Sequence, residues 1–329
     1  MARASSQRNA SGSSKEHSSS HKELHVSTTT LRTEMTAESR KLAGARVGIP
    51  PRQMKFQRLG GTPRYFFADN AASTLFLAVL SGIFPPGERF FVESVRNFRE
   101  TLSDPTLKAK VSGFIGQEAM HGREHERLNQ ILKDRGIDAQ VPEKAVQMAL
   151  DLLRYLPQST QLAATTFMEH FTALLGEALL TDEAFIQYFD AEMVKLWQWH
   201  ALEEMEHKSV AFDVYETVGN SQRERQFATA AVLATVLPAL LASWVYLVAK
   251  EGKLTDIRDL KRGISIIIGK NGVITRFLPK MPRFWARNYH PNEHDTRHIE
   301  QEWREKLFGK NGILNAEFTN REAVTGNVA

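Results

Sequence analysis

The chain has 329 residues, 42% hydrophobic and 24% charged, which predicts a globular protein of one large domain or two. It contains no cysteine, so disulfides, thiolate metal sites and cysteine nucleophiles are excluded, leaving His, Glu and Asp as metal ligands. Lys and Arg number 42 against 38 acidic residues, but much of that excess lies between Arg3 and Arg46, so no nucleic-acid partner is expected.

Residues 1–45 are rich in Ser, Thr, Arg and Lys and are expected to form a disordered polar tail. No apolar h-region follows the start, so no secretory signal is expected and a cytoplasmic location is predicted. Apolar residues 65–80 predict a helix, broken by Pro85-Pro86-Gly87, with a second helix over 87–102. Ser103-Asp104-Pro105 reads as a turn and restart, followed by helices over 107–133, 142–155, 160–180 and 191–218, the last closed by Gly219-Asn220. There is no convincing strand alternation, no glycine-rich phosphate loop and no Gly-x-Ser-x-Gly. The predicted fold is all-α, with a ferritin-like four-helix bundle over 46–225. An apolar helix at 226–250 and a helical extension over 251–329 follow. Residues 228–249 carry no charge, a length that spans a bilayer; packing, homodimer formation and membrane association are the alternatives for it.

The functional signal is a repeated spacing. Glu118-x-x-His121 and Glu204-x-x-His207 each place a carboxylate and an imidazole one turn apart on a helix. Phe114, Glu118, His121, His125, Leu128 and Leu132 share one stripe, and Trp197, His200, Glu204, His207, Ala211 and Val214 share another. Ionised carboxylates between apolar layers are strongly unfavourable without a metal or a partner. The preceding helix offers Glu88 on the face of Phe91 and Val95, whereas Glu93 lies among charged neighbours. The third helix offers Glu169 on a stripe of small residues, with Glu177 as its substitute. The set Glu88, Glu118, His121, Glu169, Glu204 and His207 is that of dinuclear carboxylate bundles. His125 and His200, each one turn away, are added as further ligands or as groups that orient one. Glu203 and Glu206 fall off the stripe, at the surface or behind the ligands, and are candidate catalytic proton shuttles.

The segments Phe84-Pro85-Pro86-Gly87-Glu88-Arg89, Phe114 to His121 with Glu124-His125, Glu169-His170-Phe171-Thr172, Trp199 to Lys208 and Tyr289-His290-Pro291 carry a resemblance. Over roughly 50–295 the chain resembles the bacterial family called predicted metal-dependent hydrolases, which implies metal dependence and supports Glu88 over Glu93. His200, Glu204 and His207 are also locally similar to the di-iron arylamine N-oxygenases. Two metal ions are expected, Fe first, with Mn or Zn as alternatives. The first expected function is an O₂-activating di-iron oxygenase or oxidase acting on a small apolar or lipid-like substrate. Phe91, Phe114 and Trp197 would line its pocket. The alternative is a two-metal hydrolase, and a third reading is a non-enzymatic iron binder.

Overall fold

The structure is a computed structural model and describes residues 42–219 and 221–325. The predicted polar tail therefore lies almost wholly outside the described residues. Ala68 and Asp69 have left-handed backbone (φ 59° and 45°), which delays the first long helix beyond the predicted start. Asn70 then caps α1 (Ala71–Arg96), its side chain accepting from Ser73 N.

α1 runs unbroken through Pro85 and Pro86, against the expectation of two helices meeting there. Proline removes the amide that would bond the carbonyl four residues back. That carbonyl, of Ser81, instead accepts from Asn129 Nδ2 at 3.0 Å, so a neighbouring helix satisfies the group that Pro85 leaves free. Asp104 caps α2 (Pro105–Asp134) at Thr106 N, with Pro105 in the first turn. α3 (Gln140–Leu153), α4 (Gln158–Thr181) and the short α5 (Glu183–Ile186) follow.

The single helix expected over 191–218 is two, α6 (Met193–His207) and α7 (Val210–Thr217). Hydrogen bonding restarts at Ser209, whose carbonyl accepts from Asp213 N, while Lys208 Nζ turns out to His294 O and Thr296 Oγ1. α8 (Gln222–Lys250), α9 (Ile257–Ile268), α10 (Val273–Phe277), α11 (Arg297–Phe308) and α12 (Arg321–Thr325) complete the helices.

The described residues contain no β-strand, only the isolated bridges Met54–Phe318 and Phe67–Phe189, so the fold is all-α. Four helices pack in a ring: α1 on α2, α2 on α6, α6 on α4 and α4 on α1. α8 lies against α1, α3 and α4. α9 is tied to the start of α1, where Asp259 accepts from Ala71 N and Ala72 N at 3.0 and 2.9 Å. Gly263 permits that approach, since a Cβ there would sit 2.6 Å from Asn70 Oδ1.

Candidate metal centre

Each helix of the ring contributes a carboxylate at one level. Glu88 comes from α1, Glu118 and His121 from α2, Glu169 from α4, and His200, Glu204 and His207 from α6; all are buried. Their donor atoms form three overlapping groups, each within 4.8 Å: Glu88, His121 and His200; Glu118, His121 and Glu204; Glu118, Glu169 and His207. Glu204 Oε1 is central, 3.0 Å from His200 Nε2, 3.5 Å from His121 Nδ1 and 3.6 Å from His207 Nε2. His207 Nε2 also lies 3.0 Å from Glu118 Oε1 and 3.6 Å from Glu169 Oε2. α4 and α6 come this close because Gly176 faces Ala201 O, which a Cβ would approach to 2.9 Å.

The proton positions on the three imidazoles follow from their outer partners. Asn129 Nδ2 is spent on Ser81 O, so its Oδ1 accepts from the Ser81 hydroxyl at 2.7 Å. Ser81 Oγ must then accept from His125 Nδ1 (2.9 Å), and His125 Nε2 accepts from His200 Nδ1 (2.8 Å). The lone pair of His200 Nε2 consequently points at the carboxylates. Gln117 performs the same service for His207. Its Nε2 donates to Pro50 O and Glu206, so its Oε1 accepts from His207 Nδ1 at 2.9 Å. Glu203 Oε2 accepts from His121 Nε2 at 3.0 Å, which turns Nδ1 of that ring inward.

This arrangement tests whether a cation fits. Both oxygens of Glu88, Glu118 and Glu169, one of Glu204, Nδ1 of His121 and Nε2 of His207 are buried without a hydrogen-bond partner. Lone pairs of imidazole and carboxylate facing one another repel unless a proton or a metal lies between them. Burial pushes the Glu88 and Glu169 carboxyls well up, reinforced by the neighbouring Glu118, and raises Glu118 against the pull of His207. The Glu204 carboxyl goes well down, because His207 and His200 outweigh burial. His207 goes well up despite burial, pulled by Glu204 and Glu118, whereas burial drives His121 and His125 down. Four carboxylates would balance two divalent cations, and the all-oxygen and imidazole donor set suits Fe, Mn or Zn.

For three of the predicted residues the structure shows which polar groups they meet. His125 enters none of the three groups: both its ring nitrogens are committed, and it orients His200. Glu203 and Glu206 are buried and not at the surface. Arg52, from the segment before the helices, bonds Glu203 Oε1 at 2.9 Å and both oxygens of Glu206 at 2.8 Å, and Arg304 adds a contact to Glu206 at 2.6 Å. Burial pushes the Glu203 carboxyl up to about 8 against Arg52, while Arg52 and Arg304 hold that of Glu206 down in spite of its burial. Glu203 therefore holds the His121 ring from behind, and Glu206 reaches His207 only through Gln117.

Glu93 is exposed and paired with Arg154, and Glu177 pairs with Lys280 and His294 away from the cluster. His170 meets the Tyr289 hydroxyl, and burial lowers it to about 4. His290 meets Asp213.

Gln117, Ser81, Asn129 and Arg52 were not singled out from the sequence. Gln117 shares a helix face with His121, a usable signal; Arg52 lies outside any periodic element and offered none.

A family model described as predicted metal-dependent hydrolase matches residues 50–295, which contain every residue of this cluster. The chain belongs to that family. No curated protein and no solved structure matches the chain. Within the family match lie Phe84, packed 4.6 Å from the His200 ring and 4.7 Å from that of His125, and Trp199, 5.0 Å from His121. These aromatic walls restrict the imidazoles to the orientations that their hydrogen bonds select.

Proposed function

We propose that the four ringed helices are a ferritin-like bundle whose Glu88, Glu118, His121, Glu169, His200, Glu204 and His207 hold two metal ions for hydrolysis of a polar substrate. The observation that carries this is the convergence of buried, unpartnered donor atoms from all four helices. When bound, two divalent ions supply Lewis-acid polarisation of a scissile carbonyl or phosphoryl group and a water of lowered pKa.

The route to the site favours hydrolysis over oxidation of an apolar molecule. A cavity of about 330 Å³ between α1 and α2 has Glu88 and Glu118 in its lining, and Arg89, Arg96 and Arg123 line it with Glu93 and Glu126. Charged walls admit water and polar groups. Arg96 forms no ion pair among the described residues and is the cation free to hold an anionic part of the substrate. Ala119 and Gly122 keep the passage open beside Glu88. His121 and His200 keep their inward lone pairs through Glu203 and His125, which are positioning residues.

O₂ activation by a di-iron centre is the second reading. It draws on the oxygen-rich donor set and on the aromatic rings of Phe84, Phe114 and Trp199 against the imidazoles. Metal analysis of protein purified without added metal, then assays on ester and phosphoester panels with Zn, Mn and Fe under anaerobic conditions, separates the two. Metal-dependent turnover without O₂ supports hydrolysis, and an O₂-dependent optical transient after anaerobic Fe(II) loading supports the second reading. Retention of full metal content by both Glu118→Ala and His207→Ala removes the site itself.

A further inference from the structure

α8 is long and apolar enough to cross a membrane, with a mean hydropathy of 2.1 over its most apolar window, yet only 22% of that window is buried. The corresponding window in α1 is 67% buried, as a core helix should be. Phe227, Leu233, Leu237, Leu241, Val245 and Tyr246 of α8 are between 42% and 56% exposed, along a stripe that follows the helical repeat. The apolar surface continues along the chain through Leu254 to Ile257, Ile264 and Ile268 of α9. A soluble monomer rarely exposes so extended an apolar face.

The charges around it indicate what covers it. Arg258, Lys261 and Arg262 are exposed on α9 between those isoleucines, with Lys270 beyond them, and none is in a salt bridge among the described residues. The nearby acids are already engaged: Asp259 by Ala71 N and Ala72 N, Asp256 by Lys253 and Glu251 by Arg64. The exposed stripe of α8 is therefore apolar, and the helix that follows it carries basic side chains beside its own exposed isoleucines. Protein interface cores are depleted of lysine, whereas an interfacial helix carries Lys and Arg beside its apolar residues.

α8 cannot leave the protein to span a bilayer on its own. Arg225 at its start is buried and donates to Phe284 O and Ala286 O at 2.9 and 3.0 Å; Trp244 Nε1 near its end donates to Ala72 O at 2.9 Å. We infer that α8 and α9 form a monotopic docking face, with α8 lying in the plane of an anionic lipid surface. This inference is independent of the reaction at the metal centre.

Flotation of the full chain with vesicles tests it. Binding is expected to phosphatidylglycerol–phosphatidylcholine vesicles and to weaken at high salt, with little binding to pure phosphatidylcholine. Removing two basic side chains in Lys261→Ala/Arg262→Ala is expected to lower binding about thirty-fold, at roughly five-fold per charge. Leu237→Asp/Leu241→Asp is expected to abolish binding while helical circular dichroism and metal content stay unchanged. Absence of vesicle binding overturns the inference. A concentration-dependent dimer that Leu241→Asp dissociates, with no vesicle binding, identifies a second copy of the chain as the occupant and overturns it equally.

Discussion

The hydrogen-bond relay from Asn129 through Ser81 and His125 to His200 makes a prediction that distinguishes a positioning histidine from a ligand. His125→Leu leaves the His200 Nδ1 proton buried without an acceptor, worth about 1–3 kcal/mol, and frees the ring to present the wrong nitrogen. Loss of such an outer partner lowers metal affinity about 10- to 100-fold, equivalent to about 1.4–2.7 kcal/mol. His125→Gln has an oxygen to accept from His200 and an amide to donate to Ser81, so it is expected to recover most of that affinity. Competition against a chelator gives the affinities, and elemental analysis gives the stoichiometry. Both variants are expected to keep the metal content of the parent at saturating metal. If His125→Gln binds metal no better than His125→Leu, or if either loses a metal equivalent, His125 is a ligand and the proton assignment is wrong.

Further predictions follow from burial and charge. The raised carboxyls of Glu88 and Glu169 favour the metal-free fold below the ordinary carboxylate range. That contribution is lost as pH rises through their folded values, whereas metal binding requires their ionised forms. The Tm gap between metal-loaded and metal-free protein should therefore widen from pH 5.5 to 8; a constant or narrowing gap in differential scanning contradicts this. Glu88→Gln should bind less metal yet raise the Tm of the metal-free protein at pH 8, an increase that fades at acidic pH. Arg52→Met leaves Glu203 and Glu206 without their shared cation and should cost about 3–5 kcal/mol in urea unfolding. Gly176→Val should force α4 from Ala201 and Glu204, costing about 1–3 kcal/mol and weakening metal binding; unchanged values for both would sink the close-packing argument.

The sequence by itself determined the all-α character and the inward stripes, though not every helix boundary, because helical periodicity and the Glu-x-x-His spacing are local properties that no distant contact has to decide. Glu88, Glu118, His121, Glu169, His200, Glu204 and His207 could be named together on that basis, and the structure brings their donor atoms to one place. What only the tertiary structure decided is which polar groups answer one another. Pro85 reads as a break until Asn129 is seen to take the carbonyl it frees. Glu203 and Glu206 read as surface groups or as groups behind the ligands, and Arg52, some 150 residues away in sequence, decides for burial by packing between them. His125 and His200 are both histidines one turn from a candidate ligand, and local spacing cannot rank them. Ser81 ranks them, by using the second nitrogen of one and leaving the other facing the carboxylates. For α8 the composition left burial, pairing and membrane contact open, because hydrophobicity records how apolar a helix is and not which of its faces the rest of the chain covers.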